Sequence, residues 1–269
     1  MLRPLSRVTL AWALIALLPL WASAPQALRG VDAVPDTGTF SILGFDPDTG
    51  EIGAAVQSRV FSVGNGVILA EAGVGAVATQ AIVDVGYGPK GMALLRQGLA
   101  PKDVIRRLLD EDTDPGYRGQ PWQKAGRQVA VMNAKGEFSA YTGPEAPIER
   151  GDSQGPHSTA QGNTLGGKGV PAAMVDGFEK SALAATGAKN HVSLRLVAAL
   201  EAGQAAGGDS RGQQSAALIV VKKDCGVWLH NDVELRLQVD DNPEPIKELR
   251  RLVENALAPG SNQVPCFRR

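Results

Sequence analysis

The sequence predicts an α+β fold in which two antiparallel sheets stack face to face with helices on the outside. Three observations carry this. Short apolar runs come in pairs joined by turn residues, which is hairpin patterning. Segments with helical spacing also come in pairs, set between the hairpins. The resulting order of strands, helices, strands, helices, strands and helix does not suit βαβ winding, where single strands alternate with crossover helices.

The first hairpin is GTFSILGFDPDTGEIGAAVQSR, residues 38–59. Residues 39–45 carry Phe40, Ile42, Leu43 and Phe45, residues 46–50 are turn chemistry, and residues 52–57 run apolar before Ser58-Arg59. Residues 67–71 and 74–81 form a second apolar pair around Ala72-Gly73. Helical spacing follows at 89–97 and 101–109, with Pro101 and Asp103 as an opening signal. Residues 110–123 are a polar loop. Residues 128–133 and 137–142 flank Ala134-Lys135-Gly136 as a third hairpin, and 158–161 is a short candidate strand before the glycine-rich loop 162–169. Residues 171–185 and 192–206 are helical by period. Residues 214–221 are a buried strand, and 233–239 alternates as a half-buried one. The helix at 245–257 has its apolar stripe on Ile246, Leu249, Leu252 and Val253.

The ends read differently. Residues 1–24 have Arg3 and Arg7, an apolar run over 8–21, and Ala22-Ser23-Ala24, the pattern of a secretory signal peptide. The run is short for a membrane span, which needs roughly 20 apolar residues, so no span is expected after cleavage. Residues 25–38 read as a flexible leader, 39–258 as one domain and 259–269 as a tail. The protein is therefore expected to be exported, to the periplasm or beyond. In that setting Cys225 and Cys266 most simply form one disulfide, the alternative being two unpaired thiols. A net charge of −1 and 5% aromatic residues argue against nucleic acid as a partner.

Several motifs invite chemistry. Residues 162–169, GNTLGGKG, match the glycine and lysine spacing of a phosphate-binding loop, but Gly169 stands where a Ser or Thr would hold Mg²⁺. Backbone amides and the Asn163 side chain lining a cleft is the better reading. Residues 207–215, GGDSRGQQS, are either a helix cap with a surface turn or a cleft wall carrying Asp209, Arg211 and Ser215. There is no Gly-x-Ser-x-Gly elbow, and His157, His191 and His230 show no ligand spacing. Thr39 remains. A threonine hydroxyl is a poor nucleophile until a base takes its proton, and one solution is the residue's own α-amine, which requires Thr39 to begin the mature chain. A free α-amine titrates near about 8, close to working pH. The bland alternative is a strand-starting threonine.

The stretch from Thr39 to about Leu257 resembles the family known as domain of unknown function 1028, placed among the N-terminal-nucleophile hydrolases. The residues that carry the resemblance are TFSILGFDPDTGEIGAAVQSR, GVGAVATQA, GYGPKGMALLRQG, QGN at 161–163 and LEAGQAAGGDSRGQQSAAL at 200–218. The opening hairpin also resembles proteasome β-subunits, whose second strand ends in Asp-Ser/Thr-Arg; here the place reads Gln57-Ser58-Arg59. The resemblance implies a four-layer αββα sandwich, amide hydrolysis, and Thr39 as nucleophile. The chain departs from it by its signal and leader, so a second cut at Gly38–Thr39 is needed. It departs also by Gln57 and by the lack of a lysine in residues 67–81.

The expected activity is thus cleavage of a small amide or peptide-like bond without metal or cofactor. Thr39, Ser58, Arg59, Asn163 and Asp209 are the expected catalytic residues, and Thr79, Gln80, Arg211 and Ser215 the substrate contacts. A ligand- or partner-binding use of the same fold without catalysis is the alternative. A homo-oligomer is compatible with either.

Overall fold

The computed structural model describes residues 37–267. The expected signal peptide, leader residues 25–36 and the last two residues of the tail lie outside them. Strands β1 (Thr39–Phe45) and β2 (Ile52–Ser58) form the opening hairpin. Asp46 closes it, its Oδ1 accepting the Asp48 and Thr49 amides at 2.9 and 3.3 Å. Gly50 supplies the positive φ of 73° that the turn requires. Strands β3 (Ile68–Glu71) and β4 (Gly75–Ala81) make the second hairpin, and helices α1 (Tyr87–Arg96) and α2 (Pro101–Asp110) follow. Then come β5 (Arg127–Asn133), β6 (Phe138–Thr142), β7 (Gly151–Gln154) and β8 (Ser158–Asn163). The chain continues through α3 (Val170–Lys180), α4 (Val192–Ala205), β9 (Ser215–Val221), β10 (Val233–Val239) and α5 (Pro245–Leu257).

One sheet has the order β10-β9-β2-β1-β8-β7 and the other β3-β4-β5-β6; every pairing is antiparallel. Successive residues of a strand face opposite sides, and the two sides bury different cores. Phe40, Ile42, Leu218 and Val220 pack under α3, α4 and α5 against Phe178, Leu196, Leu200 and Leu249. Their neighbours Leu43, Val56 and Ile219 face the second sheet and meet Ala76, Ala78, Ala130 and Met132. The far side of that sheet packs Val77, Val129 and Val131 under α1 and α2. The expected stacking of two antiparallel sheets between helices is therefore observed.

Some boundaries differ from the sequence expectation. Helix α1 starts at Tyr87, before Pro89, because proline is tolerated in a first helical turn. Helix α3 stops at Lys180 and not near residue 185, where a tight turn pairs the Ala184 amide with the Ala188 carbonyl. The edge strand β7 was not expected, since GDSQ has no apolar alternation. Strand β8 runs on to Asn163, so the first two residues of the expected glycine-rich loop are strand, held by β1 on one side.

Cys225 and Cys266 form the disulfide, with 5.4 Å between their Cα atoms. A bridge of this kind fits an oxidising compartment. Among the described residues no helix is long and apolar enough to cross a membrane. The bridge spans 41 residues of sequence, so losing it is expected to lower stability by about 3–4 kcal/mol in the chain-entropy model. Denaturant unfolding of the Cys225→Ala/Cys266→Ala protein measures this directly.

Candidate active site

Thr39 is the first residue of β1, and β1 is a central strand, so Thr39 has a neighbour on each side: Ser58 on β2 and Asn163 on β8. Ser58 in turn pairs with Ser215 on β9. One transverse row of the sheet thus reads Ser215, Ser58, Thr39, Asn163, a polar row at one end of the sheet. The row faces the second sheet, as Leu43 and Val56 do further along the same strands.

The carbonyls of residues 37–39 are each held by side-chain donors. The Thr164 hydroxyl donates to the Thr37 carbonyl at 2.7 Å. The Gly38 carbonyl, which belongs to the peptide bond joining Gly38 to Thr39, receives the Thr39 hydroxyl at 2.6 Å and Arg211 Nη2 at 2.6 Å. The Ser58 hydroxyl donates to it as well. The Thr39 carbonyl receives Gln80 Nε2 at 3.2 Å and Asn163 Nδ2 at 3.4 Å. The Thr39 hydroxyl also lies 3.1 Å from Ser58 Oγ. Arg211 packs closely on Gly38: a Cβ there would sit 2.6 Å from Nη2 and push the guanidinium off the carbonyl.

Arg211 is aimed by Asp209. That carboxylate is 3% exposed and takes Arg211 Nε at 3.0 Å on Oδ1 and Nη2 at 2.6 Å on Oδ2. It also accepts the backbone amides of Arg211 at 3.0 Å and Arg59 at 3.3 Å. A carboxylate held on four sides makes a fixed platform for the guanidinium. The Arg59 guanidinium donates to the Arg211 carbonyl, bracing the same loop. The glycine-rich loop after β8 packs on this platform: the Gly166 amide donates to the Gly208 carbonyl and the Ser210 amide to the Thr164 carbonyl, both at 2.9 Å. Gly166 and Gly207 touch backbone to backbone, an approach no side chain would permit. The loop therefore positions Asp209. Thr164 is held at φ 54°, a strained value of the kind that clusters at functional sites.

Behind the row lies a buried amide network. Gln128 Oε1 accepts Gln80 Nε2 at 2.8 Å and Asn163 Nδ2 at 3.1 Å, linking the two sheets. Ser41 donates to Gln80 Oε1 at 2.6 Å and receives Gln161 Nε2 at 2.6 Å. Each amide is fixed by its neighbour, so the Gln80 and Asn163 donors cannot swing away from the Thr39 carbonyl without orphaning a buried group.

Seven of the nine expected site residues meet here: Thr39, Ser58, Arg59, Gln80, Asn163, Asp209 and Arg211. Two expectations are corrected. Thr79 is next to Gln80 in β4 and so points to the other side, where its hydroxyl bonds the Asp84 carbonyl at 3.2 Å. Ser215 shares the polar row, but its hydroxyl is spent on the Val60 carbonyl at 2.6 Å and the Val63 amide at 3.1 Å. Gln128, Ser41, Gln161 and Thr164 were not expected as site residues. Gln57 pairs with Phe40 in the ladder and faces the helices, away from Thr39.

Beside Thr37 opens a cavity of about 430 Å³ lined by Val83, Val85, Tyr117 and Trp122, with Asp84 and Arg127. The rings of Tyr117 and Trp122 lie 5.2 Å apart. Arg127 is fully buried on Asp112, with Nε 2.9 Å from Oδ2.

The model of a family of unknown function, DUF1028, matches residues 39–249. A crystal structure of a Silicibacter pomeroyi protein described under the same family model is similar at 32% sequence identity and a TM-score of 0.70. The match covers 83% of this chain and 88% of that one. The ancestral β-subunit Anbu of Yersinia bercovieri aligns over 81% of this chain and 94% of its own, at 9% identity and a TM-score of 0.33, too low to bear on the fold. No curated protein matches.

Proposed function

The chain belongs to the family of unknown function DUF1028, and from that premise we propose an exported amidohydrolase of the N-terminal-nucleophile type, with Thr39 as nucleophile. One observation carries the reading: the carbonyl of the Gly38–Thr39 peptide bond is ringed by the Thr39 hydroxyl, the Ser58 hydroxyl and the Arg211 guanidinium. With Thr39 as the attacking group, the other two donors, Ser58 and Arg211, would stabilise an oxyanion better than a neutral carbonyl. The stacked sheets and the strand-initial threonine support the superfamily assignment.

The same arrangement serves two reactions. In the precursor, Thr39 Oγ attacks the Gly38 carbonyl carbon, and negative charge collects on the oxygen facing Arg211 and Ser58. Collapse breaks the C–N bond as the proton lost from Oγ passes to the Thr39 nitrogen, leaving an ester on Oγ and a free amine; water then hydrolyses the ester and frees the Gly38 carboxyl. In the mature protein the freed amine takes the Oγ proton as Oγ attacks a substrate amide. It passes that proton to the leaving nitrogen, and water clears the acyl group. Restricted χ1 keeps Oγ on line. The substrate carbonyl takes the place vacated by Gly38, and the cavity beside Thr37 takes its apolar flank. A non-catalytic, ligand-binding use of the fold is the second reading, favoured by the burial of Thr39 at 6% exposure.

N-terminal sequencing and intact mass of exported protein test the proposal. A mature chain beginning at Thr39 is expected; one that begins earlier and stays so removes the free-amine mechanism. In Arg211→Met the same assay is expected to show cleavage slowed by about 10²–10³-fold, the usual cost of one oxyanion donor. A melting curve checks that the variant is folded, and wild-type cleavage in it would remove Arg211 from the reaction.

A further inference from the structure

At the far end of the large sheet from Thr39, three side chains converge that the proposed hydrolysis does not use. Glu51 sits just before β2, His191 caps the start of α4, and Glu234 lies in β10. One ligand atom from each lies within 4.8 Å of the other two. Their side chains are 3%, 0% and 0% exposed. His191 Nε2 and both carboxylate oxygens of Glu234 have no hydrogen-bond partner. Groups of this kind are costly to bury unless something compensates them.

The backbone is shaped to bring Glu234 inward. The ladder between β9 and β10 shifts register between Val233 and Leu235, so Glu234 falls in a bulge. A bulge re-aims one side chain at the expense of local pairing. Lys222 Nζ lies 3.4 Å from Glu51 Oε1, which leaves Glu51 Oε2 facing His191. Lys222 meets Glu51, and the Arg195 guanidinium lies in the field of the same carboxylate, whereas Glu234 has only the His191 ring as an ion-pair partner, so a further cation would be attracted to it.

A proton is one such cation and a metal ion another, and the distances bear on the choice. His191 Nε2 is 3.4 Å from Glu234 Oε2 and 3.8 Å from Glu51 Oε2. Charge-assisted N–H···O bonds are shorter, about 2.7–2.9 Å. Donor atoms about 2.0–2.2 Å from a tetrahedral ion stand roughly 3.3–3.6 Å from each other, a range that the 3.4 Å pair meets and that the 3.8 Å pair reaches with a small inward shift of Glu51. We propose that Glu51, His191 and Glu234 form a buried site for a divalent first-row transition ion, zinc above all, with His191 Nε2, Glu51 Oε2 and one oxygen of Glu234 as ligands. His191 Nδ1 lies 2.7 Å from Ser193 Oγ and accepts the Ser193 amide at 3.2 Å; an ion on Nε2 would move the imidazole proton to Nδ1, where Ser193 Oγ would take it in place of the amide contact. The Phe267 ring stands edge-on to the imidazole at 5.0 Å, beside the disulfide half-cystine Cys266, and covers the site. The ion would tie together the first hairpin, the start of α4 and β10, a structural role independent of Thr39.

The test uses untagged full-length protein purified without chelators. Elemental analysis is expected to find about one transition ion per chain. Stripping it with dipicolinate and restoring Zn²⁺ in roughly hundredfold excess over Kd is expected to raise Tm by about 5–10 °C. In Glu234→Gln, which keeps the volume and removes the charge, metal content is expected to fall below a tenth and the zinc response to vanish. Should that variant not fold, Co²⁺ loaded into the stripped wild type reads the site instead, by the visible band of four-coordinate cobalt. Wild-type protein with no stoichiometric metal and a Tm indifferent to chelator and zinc overturns the proposal. Because the readouts are metal content and melting, a failure of Thr39 chemistry leaves the result intact.

Discussion

A Thr39→Ala chain is expected to keep the Gly38–Thr39 bond intact. The methyl group cannot attack the Gly38 carbonyl, and no other hydroxyl among the described residues is attached to the residue that bond leads into. Ser58 donates to the same carbonyl oxygen, but it approaches from the neighbouring strand as an oxyanion donor. The substitution removes one hydroxyl and leaves the apolar layers untouched, so the protein should fold at a cost of about 1 kcal/mol. Hydrolytic turnover should fall by 10³-fold or more, on the order of what removing a nucleophile costs. Thr39→Ser keeps the oxygen and loses the β-branch, so it is expected to cleave, more slowly. Mass spectrometry of the three proteins, expressed side by side, reads the result. If Thr39→Ala is cut at residue 38 as fast as wild type, the reaction belongs to an outside protease and the threonine is no nucleophile.

The parts of this arrangement that follow from local chemistry were legible in the sequence. The first hairpin could be read from Asp46 to Gly50 and from the alternation on either side, and with it the placing of Thr39 at a strand end beside Ser58. Asp209 and Arg211 could be suspected because charged residues crowded the start of a buried strand. Thr79 illustrates a reading that the sequence itself could have corrected. Ala76, Ala78 and Gln80 share one face of β4 and Val77 and Thr79 the other, so both members of the pair Thr79-Gln80 could not line the same cleft. Gln128 was not legible. A glutamine at the start of a strand carries no mark of the partner it meets on another sheet, and it bonds Gln80 and Asn163, at 48 and 35 residues of separation. The same holds for Glu51, His191 and Glu234, where a register shift, invisible in composition, turns the last of them inward.

Arg127→Met should produce the largest loss of stability in the molecule. Arg127 opens β5 with its side chain fully buried; Nε and Nη2 meet Asp112 at 2.9 and 3.4 Å, and Nη1 donates to the Ile82 carbonyl at 2.7 Å. Tyr87 donates to the same carboxylate at 2.7 Å. Removing the cation strands a buried anion, which typically costs about 3–5 kcal/mol. The urea midpoint should drop by roughly 1–2 M. Burial alone would raise the Asp112 carboxyl, but the hydrogen bonds from Tyr87 and Arg127 outweigh it and hold the group below its ordinary value. A carboxylate depressed in the folded state stabilises the protein above its unfolded value, near about 3.9, and that contribution fades as pH falls through the folded value. The gap between wild type and Arg127→Met should therefore narrow steadily as pH falls from neutrality toward about 3, since the stranded Asp112, raised by burial in the variant, takes up a proton before it does in wild type. A double variant, Arg127→Met/Asp112→Leu, should recover much of the loss, because an apolar pair leaves no buried charge unmatched. A gap that stays constant down to pH 3 would mean that the cost of Arg127→Met is one of packing, with the ion pair contributing little. The consequence would reach the site, because Arg127 also lines the cavity beside Thr37. A wall held by shape would tolerate any side chain of similar volume, whereas one held by charge depends on Asp112 staying ionised.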